Sequence, residues 1–363
     1  MNPVSEGVEA TAATAGDALL RADTEELPRA CGGVVGTARL RERPEDFQVV
    51  ELPRVAPSGD GEHSWLYLRK RASNTAWVAR QLARHAGVPL SAIGYAGLKD
   101  RNAVTEQWFS VHLPGRADPD WSQLDSEALQ VLQVCRHSRK LKTGTLRGNR
   151  FHIRLRHAQV DADQLDQRLR CVRSRGFPNY FGAQRFGRDG GNLAAAAQLL
   201  FGERRRVPRQ QRSLYLSAAR SALFNRVLAV RVADDTWDRP LPGEVLQLAG
   251  RSACFVAQSV DAALLQRVET GEIHPTGPLC GSGDQLTLSE AAAIEQCALS
   301  GCERWIEALR RLRVDAARRP LRALPADLSW QVEGADWLLT FSLPAGAYAT
   351  SLLAELVEQA PPR

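Results

Sequence analysis

Apolar and polar residues alternate in short runs at both ends of the chain and recur at helical spacing in its middle. Alternation predicts strands over residues 34–40, 47–52, 63–70, 104–113, 129–134 and 151–155, and again over 328–332 and 337–343. In the run over 63–70, Trp65, Tyr67 and Arg69 share one face, and Leu66 and Leu68 the other. Apolar positions Val78, Leu82 and Ala86 predict a helix over 75–86, entered through Ser73-Asn74 and closed by Gly87 and Pro89. A second helix opens at Asp161, with Leu165, Leu169 and Val172 inward, and stops at Gly176 and Pro178. Further helices are expected over 193–201, 213–232 and 289–318, with short strands near Val245 and Phe255 and a closing helix to about residue 357.

Strands, then helices, then strands again point to an α/β (α+β) chain in which one domain is inserted into another. The expected division is a flexible acidic tail over 1–30, a first domain from 31–174 plus 320–363, and an inserted domain over 175–319. A chain of 363 residues is long enough for two cores. No internal repeat is visible, and no apolar run approaches the length of a membrane span.

Charge sharpens the picture. The first thirty residues hold six acids and two bases, and removing that net −4 from the formal +6 leaves +10 on residues 31–363. An arginine-rich, basic folded part suits a polyanionic partner. No basic start leads into an apolar stretch, which argues against a secretory signal. Seven scattered cysteines without a Cys-x-x-Cys fit reduced thiols in a cytoplasmic protein. Cys280, Cys297 and Cys302 with His274 lack the spacing of a zinc ribbon or finger, so core thiols are expected there and no metal.

Two stretches carry candidate chemistry. Residues 94–107 set Asp100 between Lys99 and Arg101, after Gly94 and Gly97 and before an alternating strand. Flanking cations favour an ionised acid, which suits a nucleophile or base better than a proton donor; an ordinary charged turn is the alternative. Residues 128–160 contain no acid but carry Arg136, Arg139, Lys140, Lys142, Arg147, Arg150, Arg154 and Arg156. Such a ribbon repels itself unless something anionic lies along it, and a phosphate backbone is the natural candidate. Within it, Asn149 could read a base edge and Phe151 could stack on a base or pack in the core. The turn Arg204-Arg205-Arg206 reads first as a solvated loop. A non-catalytic RNA-binding protein using the ribbon alone is a competing reading, and metal-dependent hydrolysis at Asp100 would need further clustered acids or histidines.

Six ordered motifs resemble the tRNA pseudouridine synthase D (TruD) family: Pro44-Glu45-Asp46-Phe47; Gly97-Leu98-Lys99-Asp100-Arg101 with Ala103 to Trp108; Arg147-Gly148-Asn149-Arg150-Phe151; Asn179 to Phe186; Leu216 to Ser221; and Leu343-Pro344-Ala345-Gly346 with Ala349-Thr350. The resemblance runs from about Gly33 to Glu358. It implies a V-shaped pair of domains, a catalytic one with a mixed, mostly antiparallel sheet and an inserted one. It also implies an enzyme that converts uridine 13 of tRNA to pseudouridine without cofactor or metal, and nothing in the sequence requires more than a monomer. By the same resemblance Asp100 is the catalytic aspartate. It likewise implies that Phe47, Asn149 and Tyr348 line the uridine; Phe151, Lys99 and Arg41 are expected as further substrate contacts, and Arg101, Arg139, Lys140, Arg147 and Arg150 are expected along the RNA backbone. Tyr348 stands where the family has phenylalanine, and Arg41 where it has lysine.

Overall fold

The computed structural model describes residues 27–202 and 206–360. In chain order its elements are β1 (Gly36–Arg39), β2 (Phe47–Pro53), β3 (His63–Arg71), α1 (Thr75–Ala86), β4 (Ile93–Tyr95), β5 (Val104–His112), β6 (Leu129–His137), β7 (Leu146–Val160) and α2 (Ala162–Arg175). There follow β8 (Phe177–Pro178), α3 (Gly191–Leu200), α4 (Arg209–Ala233), β9 (Glu244–Leu248), β10 (Cys254–Ala257), α5 (Ala262–Glu269), β11 (Ile273–Leu279), α6 (Ser289–Ala298) and α7 (Glu303–Arg311). The chain closes with β12 (Ala317–Pro320), β13 (Arg322–Ala323), β14 (Ala326–Glu333), β15 (Asp336–Pro344), α8 (Ala349–Ala354) and β16 (Glu358–Gln359).

These elements form two compact units. The sheet unit comprises Val34–Gln167, Pro325–Gly346 and the described residues from Leu356 onward. Its ten-stranded sheet runs β14-β15-β7-β2-β5-β3-β6, with β1 on β7 and β16, and β4 on β5. Only β2–β5 and β1–β16 pair in parallel, so the sheet is mixed but mainly antiparallel. Alternation puts Leu66 and Leu68 of β3 and Phe109 and Val111 of β5 on one face, where α1 covers them with Val78 and Leu82. α1 ends where Gly87 turns to φ 61° and its N–H meets the carbonyls of Ala83 and Arg84, as a left-handed cap should.

The second unit comprises Arg168–Leu324, Ala347–Glu355 and the described residues up to Gly33. Its core gathers around α4, whose Leu223, Phe224 and Leu228 are packed with Trp237 and Trp305. A four-stranded sheet, β10-β9-β11-β12, completes it. The motif from Asn179 onward is a lock inside this unit. The N–H and carbonyl of Phe181 bond both ends of the buried Asn225 amide, and the Asn179 oxygens take the guanidinium of Arg319.

Two expectations change. The tail expected over 1–30 lies outside the described residues up to 26, but residues 27–30 are packed: Leu27 and Ala30 rest on the second unit's core, and the Ala30 N–H donates to Glu355 at 2.9 Å. The helix expected over 289–318 is two helices, broken where Gly301 takes φ 80°, and the chain then returns as β12. Helical apolar spacing continues across the break, so the spacing alone misses it.

Candidate active site

Asp100 lies in the turn between β4 and β5, and its sheet strands set the surroundings. Register pairs Val49 with Thr105 across β2 and β5, Lys70 with Thr105 across β3 and β5, and Glu51 with Asn149 across β2 and β7. Side chains at paired positions share a face. Phe47, Val49, Glu51, Lys70, Thr105, Gln107, Asn149 and Phe151 therefore belong to one face, the one that also carries Leu68 and α1.

The turn is tied down at Gly97, Lys99 and Asp100. Gln107 Nε2 donates to the Gly97 carbonyl at 3.1 Å, and the Lys99 N–H donates to Thr75 Oγ1 at 3.0 Å, while that hydroxyl donates to Gln107 Oε1 at 3.0 Å. Lys99 Nζ meets Glu51 at 2.6 Å, with the two side chains only 5% and 1% exposed. Glu51 also accepts from the Trp108 N–H at 3.3 Å. Lys70 Nζ donates to the carbonyls of Ser73 and Asp100 at 2.6 and 2.8 Å. Gly94 is required by close approach, because a Cβ there would stand 2.3 Å from the Leu141 carbonyl oxygen. Gly97 has no such crowding and no left-handed φ, so neither requires glycine there.

The carboxylate itself takes its partner from far along the chain. Arg41 Nη2 donates to Asp100 Oδ2 at 2.9 Å, and the same guanidinium lies 4.0 Å over the Phe47 ring. Arg41 holds φ 57°, a left-handed conformation costing a non-glycine residue roughly 1–2 kcal/mol. Strain of this kind persists where surrounding contacts fix it, and here the ion pair and the ring contact do so. Both side chains remain partly open, 25% for Arg41 and 33% for Asp100. Asn149 Oδ1 is buried without a hydrogen-bond partner, an acceptor on the same face.

Other expected contacts have partners within the chain. Lys99, expected as a substrate contact and as support for the Asp100 charge, gives its ammonium to Glu51 in a buried pair. Phe151 is 7% exposed and stacked on Phe341 at 5.3 Å, so it is a core ring beneath the site. Phe47 is 2% exposed, its face occupied by Arg41. The basic ribbon is not one-signed in space: Arg136 meets Asp118, Arg154 meets Glu333 and Asp336, Arg156 meets the buried Asp46, and Arg150 stands 3.8 Å from Asp327. Lys140 donates to the Ser91 carbonyl. Arg101, Arg139 and Arg147 are exposed and have no carboxylate partner among the described residues. Tyr348 belongs to the second unit, where its hydroxyl accepts from Arg185 at 2.8 Å and its ring stands edge-on to Phe181.

The sequence reading missed Glu51, Lys70, Thr75 and Gln107. Their signal is a polar residue at an inward position of an alternating strand or at a helix start: Phe47-Val49-Glu51 and Leu66-Leu68-Lys70 each end an apolar face on a charge. No group of three or more histidine, cysteine or acidic side chains fit for a metal occurs among the described residues, and no described helix is long and apolar enough to cross a membrane.

The sequence profile of the tRNA pseudouridine synthase D (TruD) family matches residues 30–203 and 192–356. A relative from Methylococcus capsulatus, named tRNA pseudouridine synthase D, is 50% identical over 335 residues, covering 92% of this chain and 95% of that protein. One of the same name from Xanthomonas axonopodis pv. citri is 47% identical over 351 residues, covering 92% and 95%. The crystal structure of a tRNA pseudouridine synthase D protein from Methanosarcina mazei superposes with a TM-score of 0.71 at 20% identity, over 93% of this chain and 98% of that one, which speaks for the fold.

Proposed function

The chain belongs to the tRNA pseudouridine synthase D family, and from that premise we propose that it isomerises uridine 13 of tRNA to pseudouridine, with Asp100 as the catalytic carboxylate. One observation carries this reading. The Asp100 carboxylate, one-third exposed, is met at 2.9 Å by the planar Arg41 guanidinium that lies 4.0 Å over the Phe47 ring, with the unpartnered Asn149 Oδ1 on the same sheet face. A uracil ring is planar too, and stacking together with an unpartnered acceptor such as Asn149 Oδ1 is how flipped bases are held.

The reaction breaks the N1–C1′ bond and forms a C5–C1′ bond; C5 loses a proton and N1 gains one. Atoms and charge balance without oxidant or reductant. A carboxylate serves either as nucleophile at C1′ or as base at C2′, and in both cases it must be ionised, close and shielded from water. Arg41 supplies the opposite charge, and the ties at Gly97, Lys99 and Asp100 supply the fixed position. Extruding the nucleotide costs a few kcal/mol of stacking, roughly what a good ring contact and a base-edge hydrogen bond return.

The test is chemical mapping of pseudouridine in tRNA treated with the protein and with Asp100→Asn. Conversion at position 13 is expected for the wild type. The variant should convert nothing while its tRNA affinity stays within a few-fold. Pseudouridine made by Asp100→Asn would overturn the assignment of Asp100, and mapping at another position would overturn the assignment of the target.

A further inference from the structure

Lys70 sits at the inward end of β3, 1% exposed and among the largest fully buried side chains of the molecule. A buried ammonium ordinarily has a carboxylate beside it, because an unpaired charge away from water is costly. This one has no ion pair among the described residues. Its hydrogen-bond partners are backbone carbonyls, Ser73 at 2.6 Å and Asp100 at 2.8 Å. The charged groups facing it are Asp100 and Lys99, one favouring its charge and one opposing it. Thr105, its neighbour across β5, has a buried hydroxyl without a partner, so no second anchor relieves the ammonium from that side.

The placement is informative because of what the two carbonyls belong to. Ser73 precedes α1, and Asp100 is the residue whose carboxylate meets Arg41. Lys70 thus ties the main chain of the reactive turn to β3 and to the start of α1 in one step. Ties to Gly97 and Lys99 come from neutral groups, so at the Asp100 carbonyl a cation does the holding. We propose that Lys70 is a positioning residue for Asp100, an ammonium buried under the turn that fixes the carbonyl of the catalytic residue and sets a positive charge beneath its carboxylate. This rests on the reading of Asp100 as the catalytic group.

Burial pushes the Lys70 ammonium down to about 8. Its charge is therefore lost within a range where the enzyme can be assayed, whereas a group serving only to fill space would give no such limb. A charged donor also holds a carbonyl more firmly than a neutral amine.

The experiment compares wild type, Lys70→Met, Lys70→Arg and Asp100→Asn in single-turnover and steady-state conversion of unmodified tRNA, with tRNA binding and circular dichroism recorded for each. Lys70→Met should fold, bind tRNA with KM within threefold of wild type, and lose roughly 10- to 100-fold in kcat, the size expected for a displaced catalytic group. The wild-type kcat should fall as pH rises through about 8, and Lys70→Arg, whose guanidinium stays charged, should lack that limb while regaining part of the activity lost in Lys70→Met. A Lys70→Met kcat within threefold of wild type, or the same alkaline limb in Lys70→Arg as in wild type, overturns the inference. Asp100→Asn separates the two levels: if that variant stays active the reading of Asp100 has failed, whereas an inactive Asp100→Asn beside a fully active Lys70→Met means that only the clamp has failed.

Discussion

Glu51 and Lys99 show why a residue's sequence neighbours are poor guides to its partners. Lys99 precedes Asp100, and adjacency made it the obvious support for that charge. Successive side chains of a turn leave in different directions, however, and Lys99 runs to Glu51, forty-eight positions upstream, while Arg41 comes to Asp100 from fifty-nine positions upstream. The place of Asp100 in a turn leading into a strand was legible from its motif and the alternation after it; its electrostatics were not, because they depend on pairings that only the sheet creates. The buried pair also predicts an outcome. Glu51→Ala strands the Lys99 ammonium in a site almost closed to water, and breaking one side of such a pair costs about 3–5 kcal/mol. Glu51→Met with Lys99→Met should cost clearly less, since it leaves no charge behind. Urea unfolding of the single and double variants measures the difference; equal losses would mean the pair is not behaving as a buried one.

At the same scale Lys70 gives a pH dependence with a definite sign. Its pKa lies below the unfolded value of 10.5, at about 8, so between those two values the unfolded chain binds a proton that the folded one does not. Stability then rises with pH across that window, and the full shift amounts to about 3 kcal/mol at 1.36 kcal/mol per unit. Wild type compared with Lys70→Met should therefore gain stability as pH rises from 8 towards 10.5, while by the proposal above its turnover falls. Stability and activity moving in opposite directions distinguish a positioning cation from a structural one.

Among the elements, regular alternation made the sheet strands legible, and caps made α1 legible to the residue: Val78, Leu82 and Ala86 mark its buried face and Gly87 its end. What was not legible are α5 and β11. β11 contains Pro275 and Pro278, which depress any strand reading, and its neighbours β9 and β12 lie on either side of it only after folding. β7 and β15 offer a test of how tightly elements are set. A Cβ on Gly148 would lie 2.2 Å from the Leu343 carbonyl oxygen, so Gly148→Ala must push the two strands apart beside Asn149. Forced separation of packed backbone typically costs about 1–3 kcal/mol. The unfolding midpoint should fall accordingly, and conversion should fall further than stability explains, because Asn149 moves with its strand. Unchanged activity in a destabilised but folded Gly148→Ala would remove Asn149 from the uridine's surroundings.

For the whole molecule, charge that looked uniform along the sequence divides into two populations once the sheet is formed. Arg136, Arg154 and Arg156 are bound by carboxylates supplied from other segments, which no reading of residues 128–160 alone could anticipate. Arg101, Arg139 and Arg147 stay exposed with no such partner among the described residues and can meet phosphates. Each phosphate contact contributes a slope of roughly −0.7 to −0.9 in log affinity against log salt. Three such contacts give about −2 to −3, shallow for a chain of this basicity, and steeper only if the remaining arginines also reach the RNA. Arg147→Ala should flatten the slope by nearly one while leaving the unfolding midpoint in place. Arg156→Ala should do the reverse, because it abandons Asp46, which is buried, hydrogen-bonded to the Arg43 N–H and met by no other cation among the described residues. Filter-binding titrations of tRNA across salt concentrations, run beside urea melts of both variants, decide the matter: a slope indifferent to Arg147 would take that residue off the RNA, and a slope that flattens in Arg156→Ala would show the Asp46 pair to be open enough to trade its partner for a phosphate.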